Sequence, residues 1–231
     1  MLKFDEHTRT LQRDEHLFAL QEPERPEYYD DIFPEGKVPK VAFNLRHVPM
    51  HPAAQVWITD TTFRDGQQAM PPLTPQQIVD LYDLLHQLGG ENGLIRTSEF
   101  FIYEEHHRKA VEDCLALGHR YPEVTAWIRA HPKDFQLVKD MGLAETGILT
   151  SVSDYHIFHK WPGSNRRQAI DRYLGIVKEA LSAGIRCRCH FEDLTRADFY
   201  GFVVPFAIEL RKLAEENGVP IKIRACDTMG Y

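Results

Sequence analysis

The sequence predicts an α/β fold of the TIM (β/α)8 barrel type, and three observations favour it. From residue 56 onward, short apolar runs alternate with segments of helical period, as is typical of parallel strands joined by right-handed crossovers. No G-x-G-x-x-G pattern follows a predicted strand, which disfavours a doubly wound dinucleotide-binding sheet. Polar residues also gather where predicted strands end, the face that carries the active site in TIM barrels.

The predicted elements follow one another in order. The first strand is expected to begin at Val56 and to be buried, because its run is apolar and β-branched. The first helix begins at Thr74, where a threonine N-cap, a proline and a glutamine form a capping-box pattern. The other strands are predicted over 94–100, 124–130, 146–153, 185–192 and 221–225, and the other helices over 104–117, 133–141, 166–183 and 198–217.

These elements amount to about six strands and five helices, whereas a complete barrel has eight strands and about 250 residues. We therefore expect residues 56–231 to be a partial barrel that lacks its C-terminal strands. A fragment of a longer protein is favoured over a barrel completed by another chain. Because open strand edges promote aggregation, residues 1–231 alone are expected to be insoluble, molten or oligomeric.

Residues 1–55 form a separate, Pro-rich and acidic N-terminal extension. This stretch lacks a sustained hydrophobic period, so an extended arm over the domain is expected, with a short helix near residues 10–20 as the alternative.

Composition excludes several classes of function. The formal net charge of -7 argues against general nucleic-acid binding. Four cysteines without a C-x-x-C pair indicate reduced thiols and a cytoplasmic location. No long apolar run predicts a signal peptide or a membrane span.

The first predicted strand runs into the sequence DTTFRDGQQ, residues 60–68. Taken alone, Arg64-Asp65 could be a salt bridge within a turn. The sequence resembles the DTTLRDGEQ motif of the metallolyase family that contains isopropylmalate synthases, homocitrate synthases, HMG-CoA lyase and pyruvate carboxylase carboxyltransferase domains. The resemblance implies that Asp65 is a metal ligand, that Arg64 is catalytic and that Gln68 contacts substrate. The family's His-x-His metal ligands lie on a seventh strand, beyond the six strands predicted here, and the implied ion is Mg²⁺, Mn²⁺ or Zn²⁺. Residues 1–231 alone are therefore expected to bind metal poorly and to be inactive.

The fifth strand carries a second family motif. Strand alternation places Arg188, His190 and Glu192 on one face and Cys187 and Cys189 on the other, and the polar set is expected to point into the barrel. CHFEDLTRAD resembles the family's S-x-E-D-x-x-R-x-D segment, which implies that Glu192 is catalytic. His190 takes the place of the family's serine and is a second catalytic candidate, expected to assist Glu192 in proton transfer. Two alternatives remain, namely an ion pair of Glu192 with Arg188 or Arg129, and a zinc cluster of Cys187, Cys189 and His190.

Four further residues are substrate-binding candidates. ACDTMGY resembles the family's A-D-T-x-G segment, so Thr228 is implied to bind the oxo-acid carboxylate, although a turn held by Asp227 is the alternative. His156 lies in a stretch similar to the synthases' S-D-x-H-x-x-x-K. Arg129, on the inward side of its strand, is a candidate carboxylate clamp. Glu99 is offset by three positions from the glutamate of the family's I-E-x-G-x-P pattern.

The resemblance covers residues from about 56 to 231. It implies a Claisen-type condensation of acetyl-CoA with a small 2-oxo acid, as in isopropylmalate, homocitrate and citrate synthases, by a protein that is a homodimer when complete. A metal-dependent carbon–carbon lyase is the nearest alternative. A non-catalytic partial barrel that binds a partner subunit is an alternative of a different class.

Overall fold

The computed structural model describes residues 19–28, 54–68 and 71–230, and the backbone of two short strands, Lys3–Asp5 (β1) and Thr10–Gln12 (β2). β1 and β2 pair antiparallel. The alternative of a helix near residues 10–20 is therefore wrong for residues 10–12, while 13–18 lie outside the described residues.

Six parallel strands form the sheet that positions the site. Their order is sequential, from β3 to β8, which is the order of a barrel rather than of a doubly wound sheet. The predicted partial barrel is confirmed. The strands are Ile58–Asp60 (β3), Ile95–Phe100 (β4), Glu123–Arg129 (β5), Glu145–Ser151 (β6), Arg186–Glu192 (β7) and Lys222–Ala225 (β8).

Within the described residues, six α-helices accompany this sheet, one more than the sequence predicts. The unpredicted helix, α4, has only seven residues and is capped by the Ser153 side chain, so it is too short to show an apolar stripe. The helices are Pro75–Gly89 (α1), Glu105–Ala116 (α2), Pro132–Asp140 (α3), Asp154–Lys160 (α4), Arg166–Ser182 (α5) and Val204–Asn217 (α6).

The first strand differs from its prediction. β3 begins at Ile58, and the residues before it are exposed, Val56 by 73% and Trp57 by 57%. The prediction of burial is wrong because β3 is an edge of the described sheet, where only β4 covers it. An apolar run predicts a strand whose side chains favour burial, but it does not reveal whether a neighbouring strand buries them.

The two faces of the sheet have different chemistry. On the outer face, the fully buried Cys187, Cys189 and Phe191 pack under the helices, and Phe191 stacks on Phe206 of α6 at 5.1 Å. The inner face carries charge instead of the branched apolar layers usual in TIM barrels. There Glu145 is fully buried and accepts hydrogen bonds from Arg188 at 2.7 Å and from other cations on β7 and β8.

Residues 19–28 contact the segments that carry the mouth of the barrel. The Glu22 carboxylate accepts hydrogen bonds from the backbone N–H groups of Arg166 and Arg167, where α5 begins. The Arg166 side chain is 1% exposed and bridges Asp154 of α4 and Asp198. A buried guanidinium thus fixes α4 against α5.

In the part of the chain that the structure describes, every helix falls short of the length and apolar character needed to cross a membrane.

Candidate active site

Arg64 lies in the turn after β3, at the carboxyl end of the sheet. Its Nε is 2.8 Å from Oε2 of Glu99, and its Nη2 is 2.7 Å from Oδ2 of Asp65. The guanidinium also lies over the Trp127 ring, 4.8 Å from its centroid. The contact with Asp65 is the turn salt bridge given as the alternative reading. The contact with the buried Glu99 directs the Arg64 side chain toward the interior of the barrel.

Glu99 is the centre of the charge cluster. It is fully buried, and its Oε1 lies 2.8 Å from Arg188, 3.0 Å from Arg224 and 3.3 Å from Nε2 of His190. Burial raises its pKa, but His190 and the guanidiniums outweigh burial and lower the pKa to about 2. Glu99 is therefore a permanent anion that fixes the position of Arg64.

Strand register explains how an offset glutamate reaches this position. Ser98 pairs with Asp60, the last residue of β3, and its hydroxyl donates to the Asp60 carboxylate at 2.5 Å. Glu99 is the next residue along β4, one step nearer to the mouth. A pairing irregularity between Ile58 and Thr59 shifts this register, and linear comparison of motifs does not reveal such a shift.

His190 lies beside Glu99 and is 3% exposed. Burial is the main influence on the His190 pKa and lowers it. Gly147 of β6 makes room for this ring, because a Cβ at that position would come within 2.9 Å of His190 Nε2 and 2.8 Å of Trp127 Cδ1. The imidazole is thus held neutral and close-packed at neutral pH.

Glu192 stands at the end of β7, nearer to solvent. Its Oε2 accepts a hydrogen bond from Lys160 at 2.6 Å and a short one from Ser151, and it is 3.3 Å from Nδ1 of His156. Burial raises the Glu192 pKa, but Lys160 and Ser151 prevail, and the pKa is lowered. The ion pair suggested with Arg188 or Arg129 is wrong, because Arg188 binds Glu99 and Glu145 instead.

His156 reaches Glu192 because α4 presents it to the mouth. Burial lowers the His156 pKa, with Glu192 opposing that effect. His159, on the same helix, instead stacks on Tyr28 and contacts its hydroxyl at 3.1 Å. The two imidazoles of α4 therefore have different partners, His156 at the barrel mouth and His159 at Tyr28.

Thr228 lies beyond β8. Its hydroxyl accepts a hydrogen bond from the backbone N–H of Asp193 at 2.8 Å, so it contacts the residue that follows Glu192. Asp227 also accepts from the backbone of Gly230 at 2.9 Å, which is the turn offered as the alternative.

Arg129 is not gathered with these residues. Its guanidinium binds Asp134 of α3 in a bidentate pair at 2.7 and 3.1 Å, and its side chain is 66% exposed. It lines a neighbouring cavity of about 730 Å³ at the carboxyl ends of β5 and β6, which Ser151 and Lys160 share with the Glu192 site. Its lining also includes the cationic Lys133 and Arg172, and the side chain of His131.

Asp65 and Gln68 lie on the exposed turn after β3. The Asp65 side chain is 51% exposed, and its carbonyl accepts from the N–H of Gln68 at 3.1 Å. A half-exposed carboxylate supplies the oxygen donor that Mg²⁺ or Mn²⁺ prefers, so Asp65 fits the implied metal as one ligand. Within the described residues no cluster of three metal-ligating side chains includes Asp65.

The cysteines do not form a zinc site with His190. Cys187 and Cys189 are fully buried on the helix side of β7, whereas His190 faces the interior. Burial raises the pKa of Cys187 to about 12 and that of Cys189 well above its ordinary value, so both thiols stay protonated.

The chain matches a family model and several known proteins. The HMGL-like family model matches residues 55–231. Citrate (Re)-synthase of Syntrophus aciditrophicus is 58% identical over 226 residues, 98% of this chain and 35% of that protein. Citrate (Re)-synthase of Clostridium kluyveri is 54% identical over 92% of this chain and 47% of that protein. 2-Phosphinomethylmalate synthase of Streptomyces hygroscopicus is 40% identical over 92% of this chain and 49% of that protein.

The chain thus spans between about a third and a half of the length of these relatives. Among solved structures, hydroxymethylglutaryl-CoA lyase from Pseudomonas aeruginosa superposes with a TM-score of 0.51 at 16% identity, over 73% of this chain and 57% of that chain. At this identity the likeness concerns the fold alone. With the family model matching the whole barrel segment, the chain belongs to the HMGL-like family.

Proposed function

We propose that the complete protein is an acyltransferase that condenses acetyl-CoA with a small 2-oxo acid, oxaloacetate being the favoured one and citrate the product. The observation that carries this proposal is Arg64, held between Glu99 and Trp127 at the barrel mouth with Asp65 beside it. Oxaloacetate is favoured because the two relatives above 50% identity are both named citrate (Re)-synthase. None of the three relatives described above is named a lyase, so the lyase alternative has less support.

In this proposal the substrates meet between Arg64 and Glu192. A divalent ion bound at Asp65 would supply a Lewis acid for the oxo acid's carbonyl oxygen. Arg64 stabilises the negative charge that develops on oxygen as the new bond forms, and its ion pairs hold it in place beforehand. Thr228, beside the Glu192 site, is a candidate donor to the oxo acid's carboxylate.

Glu192 is proposed to remove a proton from the acetyl methyl group. The resulting carbanion bonds to the carbonyl carbon of the oxo acid, and the carbonyl oxygen takes up a proton to become a hydroxyl. Water then hydrolyses the thioester and releases CoA. Lys160 competes with substrate for Glu192, so its displacement would raise the basicity of the carboxylate when the substrate is in place.

The basic cavity beside this site suits the phosphates of CoA. Lys133 lies in the first turn of α3, and Arg172 lies over the Trp161 ring, 4.1 Å from its centroid. Neither side chain would have to break an ion pair described here in order to bind a phosphate. Cationic side chains at a helix N-terminus favour phosphate groups. A thioester with its nucleotide in this cavity would reach Glu192 past Ser151 and Lys160.

Release of free CoA, detected with a thiol reagent, tests the proposal on the complete protein. With acetyl-CoA and Mg²⁺ or Mn²⁺, we expect release with oxaloacetate and much less with 2-oxoglutarate or 2-oxoisovalerate. Removal of metal by a chelator should stop the reaction. If none of these oxo acids releases CoA, the synthase proposal is wrong.

Two matched variants test the residue assignments. Arg64→Lys should lower turnover by about a hundredfold, because a lysine cannot hold the same geometry. Lys133→Gln should raise the KM for acetyl-CoA and leave the KM for the oxo acid unchanged. Lys178→Gln, on the exposed side of α5, is the control for the loss of one positive charge. The cytoplasmic location and the homodimer remain predictions.

A further inference from the structure

A second group of metal-ligating side chains lies outside the candidate active site. Glu104 is the N-cap of α2, and His106 and His107 lie in its first turn, after the carboxyl end of β4. One ligand atom from each of the three side chains lies within 4.8 Å of the others. Among the described residues, this is the one such group of three or more.

The geometry within the group is that of an open cluster. Glu104 Oε2 is 3.3 Å from Nδ1 of His106, and the rings of His106 and His107 are 4.0 Å apart. Glu104 makes no capping hydrogen bond with its side chain, although it occupies the N-cap position. Its carboxylate is therefore not committed to the helix and can turn toward a ligand.

An independent observation concerns His107. Its Nδ1 is withdrawn from solvent and has no hydrogen-bond partner among the described residues. Buried nitrogen atoms normally have a partner, so this one calls for an explanation.

We propose that Glu104, His106 and His107 bind a divalent transition-metal ion, with water at the remaining positions. Two imidazoles and a carboxylate are the donor set of open zinc sites and suit Zn²⁺, Co²⁺ or Ni²⁺ better than Mg²⁺. Bonds of about 2.0–2.2 Å require the donor atoms to approach more closely than they do here. Glu104, which is largely exposed, and His106 have the freedom to make this movement.

The site would be separate from the one at Asp65 but connected to its surroundings. The His107 ring contacts Phe101 at 6.4 Å, and Phe101 contacts Trp127 at 6.2 Å, edge to face. Trp127 in turn lies against Arg64. An ion at α2 would therefore fix the aromatic layer behind the catalytic arginine.

Cobalt titration of the complete protein tests this proposal without measuring activity. The visible absorption of bound Co²⁺ reports both the number of sites and their coordination. The test variant is the double change His106→Gln with His107→Gln. The matched control is His131→Gln with His159→Gln, which removes two exposed histidines outside the cluster. Comparing these two variants does not depend on whether the Asp65 site also binds the ion.

We expect the test variant to bind one equivalent of Co²⁺ less than the parent, with the control equal to the parent. Glu104→Gln should weaken binding at this site by about tenfold or more, as loss of a ligand does. If the double variant fails to melt cooperatively, Glu104→Gln still tests the metal site, because a change at the exposed Glu104 should leave folding intact. Parent-like Co²⁺ binding by Glu104→Gln, or by a folded double variant, would overturn the proposal.

Discussion

Glu99 and Glu192 are two carboxylates on the inner face of one sheet, and both have lowered pKa values, yet they differ in the partners that surround them. Glu99 is fully buried and contacts three guanidiniums. Glu192 is 21% exposed and contacts a lysine, a histidine and a serine hydroxyl.

This difference in partners distinguishes Glu99, an anion that stays in place, from Glu192, an anion that can exchange its partners. Arginine stays charged at any pH the fold survives, so Glu99 cannot release its partners or take up a proton near neutrality. Lysine and histidine are mobile or titratable, so Glu192 can exchange its partners for a substrate. We therefore propose two roles for two carboxylates with the same pKa direction, positioning for Glu99 and proton transfer for Glu192.

The largest expected effect is on stability. Glu99→Gln leaves buried guanidiniums without their counter-charge and should lower the free energy of unfolding by about 3–5 kcal/mol. Glu192→Gln, nearer to solvent, should cost about 1 kcal/mol. Urea unfolding of the complete protein measures both, and equal losses would contradict the distinction between the two carboxylates.

The pH dependence of the Glu99 effect follows from the direction of its pKa shift. Folding lowers this pKa from 4.5 to about 2, so the stabilisation is fully present above pH 4.5 and is lost as pH falls toward 2. The gap between the parent and Glu99→Gln should therefore narrow on acidification below pH 4.5. A gap that stays constant down to pH 3 would show that Glu99 is not the group that titrates.

The close packing around His190, beside Glu99, gives the next effect. Gly147→Ala places a methyl group against Trp127 and His190 and should destabilise the protein by about 1–3 kcal/mol. Gly175→Ala is the matched control, because its Cβ meets no described atom within 4 Å and it lies within α5. That change should stabilise the protein by about 0.5–1 kcal/mol. Thermal melts of both variants measure the contrast, and two changes of the same sign would contradict it.

The smallest expected effect is a shift of the pH profile. Lys160 is the strongest of the contacts that lower the Glu192 pKa, so Lys160→Met should raise that pKa. Since Glu192 is proposed to act as a base in its ionised form, the acid limb of kcat/KM against pH should move to higher pH. Lys178→Met, on the exposed side of α5, is the control, and an unchanged acid limb in Lys160→Met would contradict the proposal that Glu192 is the base.

Alternation along single strands was enough to predict much of this site. The period of two along a strand predicts that Arg188, His190 and Glu192 share one face of β7, and in the structure they do. The position of Arg64 at a strand end follows from an apolar run that breaks into polar residues. Such local patterns are set by backbone geometry and need no knowledge of the neighbours.

The other features of the site depend on contacts between helices and strands. Glu99 reaches Arg64 through the register of β4 against β3, and Lys160 reaches Glu192 through a seven-residue helix that Arg166 holds in place. Arg129 has the predicted inward position, but Asp134 of the following helix binds it. The sequence Glu104-x-His106-His107 was a visible signal for a cluster, which the family motifs did not include.

Turnover of Glu192→Gln in the complete protein is the most direct test of the proposal that Glu192 removes the methyl proton. Release of CoA from acetyl-CoA and oxaloacetate should fall by about a hundredfold or more, because the base for the methyl proton is gone. The melting temperature should stay close to the parent's, in contrast to that of Glu99→Gln. Parent-like CoA release by a folded Glu192→Gln protein would contradict the role proposed for Glu192.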